Sequence, residues 1–223
     1  MELIEAIKTR RSVRAFKPDP IPKAVLEDIL KTATLSPSAA NLQPWEFLVI
    51  TGEPLKKLSA AMIEKSKAGE MGNWELRKGV GRAQVPEKYL ERLRNLQSRN
   101  TIFRRDDAEQ RAEFMRRGFS FFGAPAAIIV TIEKSLGDAH VFDLGLVTQT
   151  LCLAAVERGL GTCIQAQGVS YPNAIREMFN IPDSVIMAIA IAIGYPDMAN
   201  SVNQFKSGRV PVEDLTTWIG FKE

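Results

Sequence analysis

The sequence predicts an α+β domain, a mixed central β-sheet flanked by helices, and three observations lead there. Residues 185–193 form a near-continuous, largely β-branched apolar run, the pattern of a central strand buried on both faces. Residues 138–158 form a long helical pattern that is apolar on more than one side (Val141, Leu144, Leu146, Val147, Leu151, Leu153, Val156), which predicts burial nearly all round. Helical segments separate the strand segments, but without the strict β-α-β alternation of a doubly wound sheet.

The elements follow in order. Residues 2–9 read as a short helix with Leu3, Ile4 and Ile7 at helical spacing. Pro18, Pro20 and Pro22 then interrupt the chain, and Val25, Leu26, Ile29, Leu30 and Ala33 mark a helix over 23–35. Residues 45–51 are a strand ended by Gly52, and Pro54 opens a helix to about residue 67. After Phe121-Phe122-Gly123-Ala124-Pro125, residues 126–132 form a second apolar strand. Gly159 and Gly161 end the long helix, 162–166 is a short strand, and Pro172 suits the first turn of a helix over 171–179. The terminal Trp218-Ile219-Gly220-Phe221 is too apolar to be left facing water.

At 223 residues the chain is one domain, 1–223, with room for a well-buried core. Residues 70–117 differ in character. Twelve Lys/Arg stand against six Asp/Glu between Arg77 and Arg117, while the whole chain carries only +3. This stretch reads as a basic helical excursion from the core. Arg92, Arg94, Arg99, Arg104 and Arg105 are either solvated and paired with Glu91, Asp106, Asp107 and Glu109, or gathered to receive an anion. Its few aromatics (Tyr89, Phe103, Phe114) argue against base stacking, so no nucleic acid is expected.

Cys152 and Cys163 form no CxxC and have no histidine near them, so they read as buried small residues rather than a metal or redox site. His140 is the only histidine, which argues against a His-rich metal centre or a Ser-His-Asp triad. No apolar run reaches the length of a membrane span, and the start has no secretory h-region. No membrane association and a reducing, cytoplasmic setting are expected.

The most informative stretch is Arg10-Arg11-Ser12-Val13-Arg14, at the end of the opening helix. Guanidinium groups are planar, permanently charged and able to donate paired hydrogen bonds, which suits a phosphate. A basic helix end serves the helix dipole equally well, so the run alone leaves both readings open. Pro37-Ser38-Ala39-Ala40-Asn41-Leu42-Gln43-Pro44-Trp45 is a polar, proline-bounded turn, and Ser38, Asn41 and Gln43 could also contact a heterocycle's edge. No GxGxxG follows the first strand and no Walker pattern is present, so a Rossmann-bound nicotinamide or P-loop nucleotide is not expected.

Together these two segments resemble the FMN-dependent nitroreductase family, and later segments fit in order over nearly the whole chain. The resemblance implies a nitroreductase-like fold in an intertwined homodimer, with FMN at the subunit interface, the C-terminal segment crossing to the partner and the basic excursion at about 70–117 forming a helical lid over the flavin's open face. By it, Arg10, Arg11, Ser12 and Arg14 hold the flavin's phosphate and pyrimidine edge, joined by Lys206 and Arg209. Pro37, Ser38, Ala39, Asn41 and Gln43 belong to the loop that packs over the flavin from the partner. Ala166-Gln167-Gly168 supplies a backbone N–H to flavin N5, with Gln167 where many members carry Glu. NADH or NADPH would reduce the flavin transiently, and a nitroaromatic, quinone or similar small acceptor, an anionic aromatic among the candidates, would reoxidise it by a ping-pong mechanism. The cofactor carries the chemistry, so no catalytic side chain and no metal are assigned. A reductive dehalogenase or flavin-fragmenting enzyme of the same fold, or a non-catalytic flavin- or polyanion-binding protein, are the alternatives.

Overall fold

A computed structural model describes residues 1–76, 85–99 and 108–221. The helices are α1 (Leu3–Thr9), α2 (Lys23–Ala33), α3 (Gly52–Lys67), α4 (Glu87–Arg99), α5 (Ala108–Phe119), α6 (Val141–Glu157) and α7 (Pro172–Phe179). The strands are β1 (Trp45–Thr51), β2 (Ala126–Glu133), β3 (Gly161–Gln165) and β4 (Val185–Gly194), in the order β1-β2-β4-β3.

The α+β class is borne out, but the four strands pair antiparallel throughout. The expected mixed character survives among the described residues only as a single parallel bridge between Ser12 and Thr162. A helix in a connection shows that the chain leaves the sheet. It does not fix the direction in which the next strand returns.

Side chains on the two faces of the sheet feed two cores. Ile128, Val130 and Ile132 of β2 face α2 and α6, joining Ile29, Val147 and Leu151. Ala127 and Ile129 face the opposite way, toward Leu58, Met62, Phe119 and Ile175 of α3, α5 and α7. β4 lies between β2 and β3, as its two-sided apolar pattern predicts.

Two expectations about α6 change. Its first predicted turn is a 3-10 segment, Lys134–His140, and regular helix begins at Val141. All-round burial is not reached within one chain. Leu144, Val147, Leu151 and Ala155 are buried, whereas Phe142 is 75% exposed. Residues 138–157 are long and apolar enough to cross a membrane by length and composition. Their buried side is nevertheless part of the core shared with α2. The C-terminal segment also finds no cover, with Trp218 68%, Ile219 85% and Phe221 75% exposed.

The start of the basic excursion is a fixed strap. Trp74 donates its indole N–H to Ala188 O (3.1 Å), and Asn73 N–H reaches Ser170 O (2.7 Å). Glu75 accepts from the buried Arg176 (2.8 Å) and from Met187 N–H (3.0 Å). Residues 77–84 and 100–107, including Phe103, Arg104, Arg105, Asp106 and Asp107, lie outside the described residues.

Candidate functional site

The basic run leaves α1 as an extended segment laid beside β3. Val13 N–H donates to Thr162 O (2.9 Å); Val13 and Ala15 are buried, while Ser12 and Arg14 are half-buried. The close approach depends on Gly161: a Cβ there would lie 2.6 Å from Val13 Cγ2. Because the Ser12–Thr162 bridge is parallel, the run proceeds toward the 166–168 end of β3.

Asn203 ties this segment to the C-terminal chain. It is 1% exposed; its Oδ1 accepts from Arg14 N–H (2.7 Å), and its Nδ2 donates to Ala15 O (2.7 Å) and Asp197 O (2.8 Å). Arg11 donates to the Asn203 carbonyl (3.3 Å), and Arg117 of α5 donates to Arg14 O (2.8 Å).

The result is a cavity of about 650 Å³ with one wall from residues 7–14 and the other from Phe205, Lys206, Ser207 and Arg209. Gln149 of α6 and Leu96 of α4 complete the lining. Among the described lining residues, Lys8, Arg10, Arg11, Arg14, Lys206 and Arg209 supply six cations and none is acidic. Coulomb repulsion among clustered cations is unfavourable without counter-charge, so the cavity suits a multiply charged anion such as a phosphate. Its volume is in the range of small-molecule sites.

Arg14 extends to the opposite core, with its guanidinium carbon 6.0 Å from the Phe122 ring centroid, within cation–π range. Burial pushes the nearby Cys163 thiol above its usual range, an effect partly offset by Arg14 and Ser12. Cys152 is raised to about 11, again chiefly by burial. Both cysteines are buried and free. Gln165, at the end of β3, is 5% exposed, and neither side-chain amide atom has a hydrogen-bond partner. A polar ligand edge there would satisfy it.

Arg10, Arg11, Ser12, Arg14, Lys206 and Arg209 therefore come together, but the other expected residues do not line this cavity. Pro37, Ala39, Asn41 and Gln43 are exposed, and Ser38 is half-buried, in a loop after α2. Ala166, Gln167 and Gly168 form the turn after β3. There the Gln167 amide lies against Gly118 of α5 and donates to Met115 Sδ (3.4 Å). His140 is structural in its contacts: its Nδ1 lies 2.9 Å from Asp143 Oδ2.

In the described part of the excursion, Arg94 pairs with Glu87, and Lys88 and Arg92 lie over the Tyr89 ring. Sequence reasoning missed Asn203, Ser207, Gln149 and Leu96. Lys8 was accessible to it as part of the same basic run. A single Asn in a polar stretch carries no signal that separates a buried clamp from a turn residue.

Comparison with known proteins agrees in extent. The Nitroreductase family model matches residues 7–195. The chain is 33% identical to a 4-nitrobenzoate reductase of Pseudomonas putida, over 96% of this chain and 94% of that protein. It is 30% identical to a chloronitrobenzene nitroreductase of Comamonas testosteroni, over 96% of each. The fold superposes on the crystal structure of the FMN and NADPH-dependent nitroreductase NfnB from Sphigopyxis sp. strain HMH with a TM-score of 0.89, 28% identity, and coverage of 99% of this chain and 100% of that one.

Proposed function

The chain belongs to the nitroreductase family, and from that premise we propose that its cationic cavity holds the phosphate end of FMN and that the protein is an NAD(P)H-dependent nitroreductase. The observation that carries this reading is the cavity in which residues 10–14 meet 206–209, cationic and without an acid among its described lining residues. FMN held there would supply the redox chemistry, hydride transfer from NADH or NADPH to a nitroaromatic, quinone or similar acceptor in ping-pong fashion.

The chain's own residues bind and orient. Arg10, Arg11, Ser12, Lys206 and Arg209 grip the phosphate. Arg14 would place its cation at the ring edge, where a cation favours the negatively charged reduced form. The 166–168 turn offers a backbone N–H, and Leu96 of α4 helps exclude water. No side chain acts as nucleophile or obligatory base, and solvent supplies protons.

The functional unit is a homodimer. The exposed apolar residues of α1 (Leu3, Ile4, Ile7), with Phe142, Trp218, Ile219 and Phe221, support this, as does a 37–43 loop that is not among the described lining residues of its own chain's cavity. Removing residues 214–223 should yield a monomer on calibrated gel filtration; a truncated dimer contradicts the reading. The two buried free cysteines fit a reducing, cytoplasmic setting.

The basic excursion favours an anionic aromatic acceptor. A relative named for 4-nitrobenzoate supports that choice. kcat/KM should be higher for 4-nitrobenzoate than for nitrobenzene, and the gap should shrink with salt. Equal, salt-independent values remove the proposal.

The test of the main reading is the visible spectrum of the purified protein. It should show a flavin bleached by NAD(P)H and restored by a nitroaromatic. Arg10→Ala and Arg209→Ala should weaken FMN binding about tenfold or more while barely changing riboflavin binding, because only FMN carries the phosphate. A protein that stays colourless after incubation with FMN refutes it.

A further inference from the structure

The exposed 37–43 loop has a strained shape and is tied to the core through one buried carboxylate. Ala40, Asn41 and Gln43 have φ of 51°, 55° and 49°, in the left-handed region that side chains with a Cβ rarely adopt. The loop buries little that could enforce this, since Ala39, Ala40, Asn41 and Gln43 are all exposed. Inside it, Gln43 N–H donates to Ser38 Oγ (2.9 Å). Its outside anchor is Asp143, whose two carboxylate oxygens lie 3.3 and 3.4 Å from the Ala39 nitrogen and accept its N–H.

Asp143 is 4% exposed and sits in the first turn of α6, where the helix dipole favours negative charge. Its Oδ2 also meets His140 Nδ1 at 2.9 Å. A carboxylate is tolerated at such burial only when donors surround it. The loop amide and the imidazole are those donors, so the carboxylate and the loop conformation hold each other in place.

We propose that Asp143, oriented by His140, is a positioning residue for the cofactor: it presets the strained 37–43 loop for contact with the flavin bound across the dimer. This rests on the flavoprotein and dimer reading above. A preset loop loses little freedom when the ligand arrives, and a released loop must be ordered at that moment.

The experiment is an FMN titration of full-length apoprotein by flavin fluorescence, with the visible circular dichroism of the bound flavin and the melting temperature recorded on each variant. Asp143→Ala should weaken FMN binding about tenfold and change the flavin dichroism, the effect of losing one charge-assisted hydrogen bond. Asp143→Asn should recover binding to within about threefold of wild type, because its amide oxygen can still accept from Ala39 N–H. His140→Ala should fall between them. Ile29→Val, a core change at the α2–α6 seam, should lower the melting temperature with FMN affinity unchanged.

FMN affinity in Asp143→Ala within twofold of wild type overturns the inference. So does Asp143→Asn as damaged as Asp143→Ala, which would mark a purely structural charge. If Asp143→Ala does not fold, the Asp143→Asn and His140→Ala pair decides, and equal wild-type affinity in both overturns it. Wild-type protein that takes up no FMN refutes the flavoprotein reading itself, a result visible before any variant is made.

Discussion

Replacing Asn203 should damage the cavity and the fold together, and the size of the loss can be worked from its contacts. The side chain makes three hydrogen bonds of 2.7–2.8 Å, to Arg14 N–H, Ala15 O and Asp197 O, at 1% exposure. Each is worth about 1 kcal/mol net, and buried backbone groups left without partners push the cost higher. Asn203→Ala should therefore destabilise the protein by about 3 kcal/mol. For a chain of this size that lowers the melting temperature by roughly 6–12 °C.

Asn203→Asp should be at least as harmful. It keeps the shape but turns both donors into acceptors facing two carbonyl oxygens, and it buries a charge. Because the clamp joins residues 10–15 to 197–209, FMN binding should weaken about tenfold in either variant. Differential scanning fluorimetry and FMN fluorescence titration read the two effects separately. A variant that melts within 2 °C of wild type and binds FMN normally would show that the two cavity walls are held by something else.

Three other outcomes are expected. A Cβ at Gly118 would lie 2.4 Å from Gln167 Cδ, the mobile end of a side chain; Gly118→Ala should leave melting unchanged or slightly raised yet shift the flavin midpoint potential by displacing Gln167, and an unshifted potential refutes this. Removing the carboxylate of Glu75 leaves the buried Arg176 without its main partner, so Glu75→Ala should cost about 3 kcal/mol, read as a large fall in melting temperature; a loss of under 1 kcal/mol would contradict the strap. Burial raises Cys152 to about 11 from 9.0, so the folded state holds the proton to higher pH than the unfolded state. Its contribution to stability is complete below about pH 9 and is lost as pH rises toward 11. Cys152→Ala should flatten the fall in melting temperature over that window, and an unchanged slope refutes the assignment.

The sequence by itself determined the elements and half of the cavity. Strands at 45–51, 126–132 and 185–193 were legible because apolar, β-branched runs report burial wherever the chain later goes. Arg10, Arg11 and Arg14 were legible, with Ser12 between them, because three cations within five residues repel unless an anion or solvent takes them. Tertiary structure alone decided that the described strands pair antiparallel, that α6 leaves Phe142 uncovered, and that the Gln167 amide rests against Gly118. It also chose Asn203, 189 residues from Arg14, to close the cavity. Local pattern encodes backbone preference and burial, which neighbouring residues set. Strand direction and a buried polar clamp depend on which distant backbone groups are left needing partners, and that is defined only once the chain has folded back on itself.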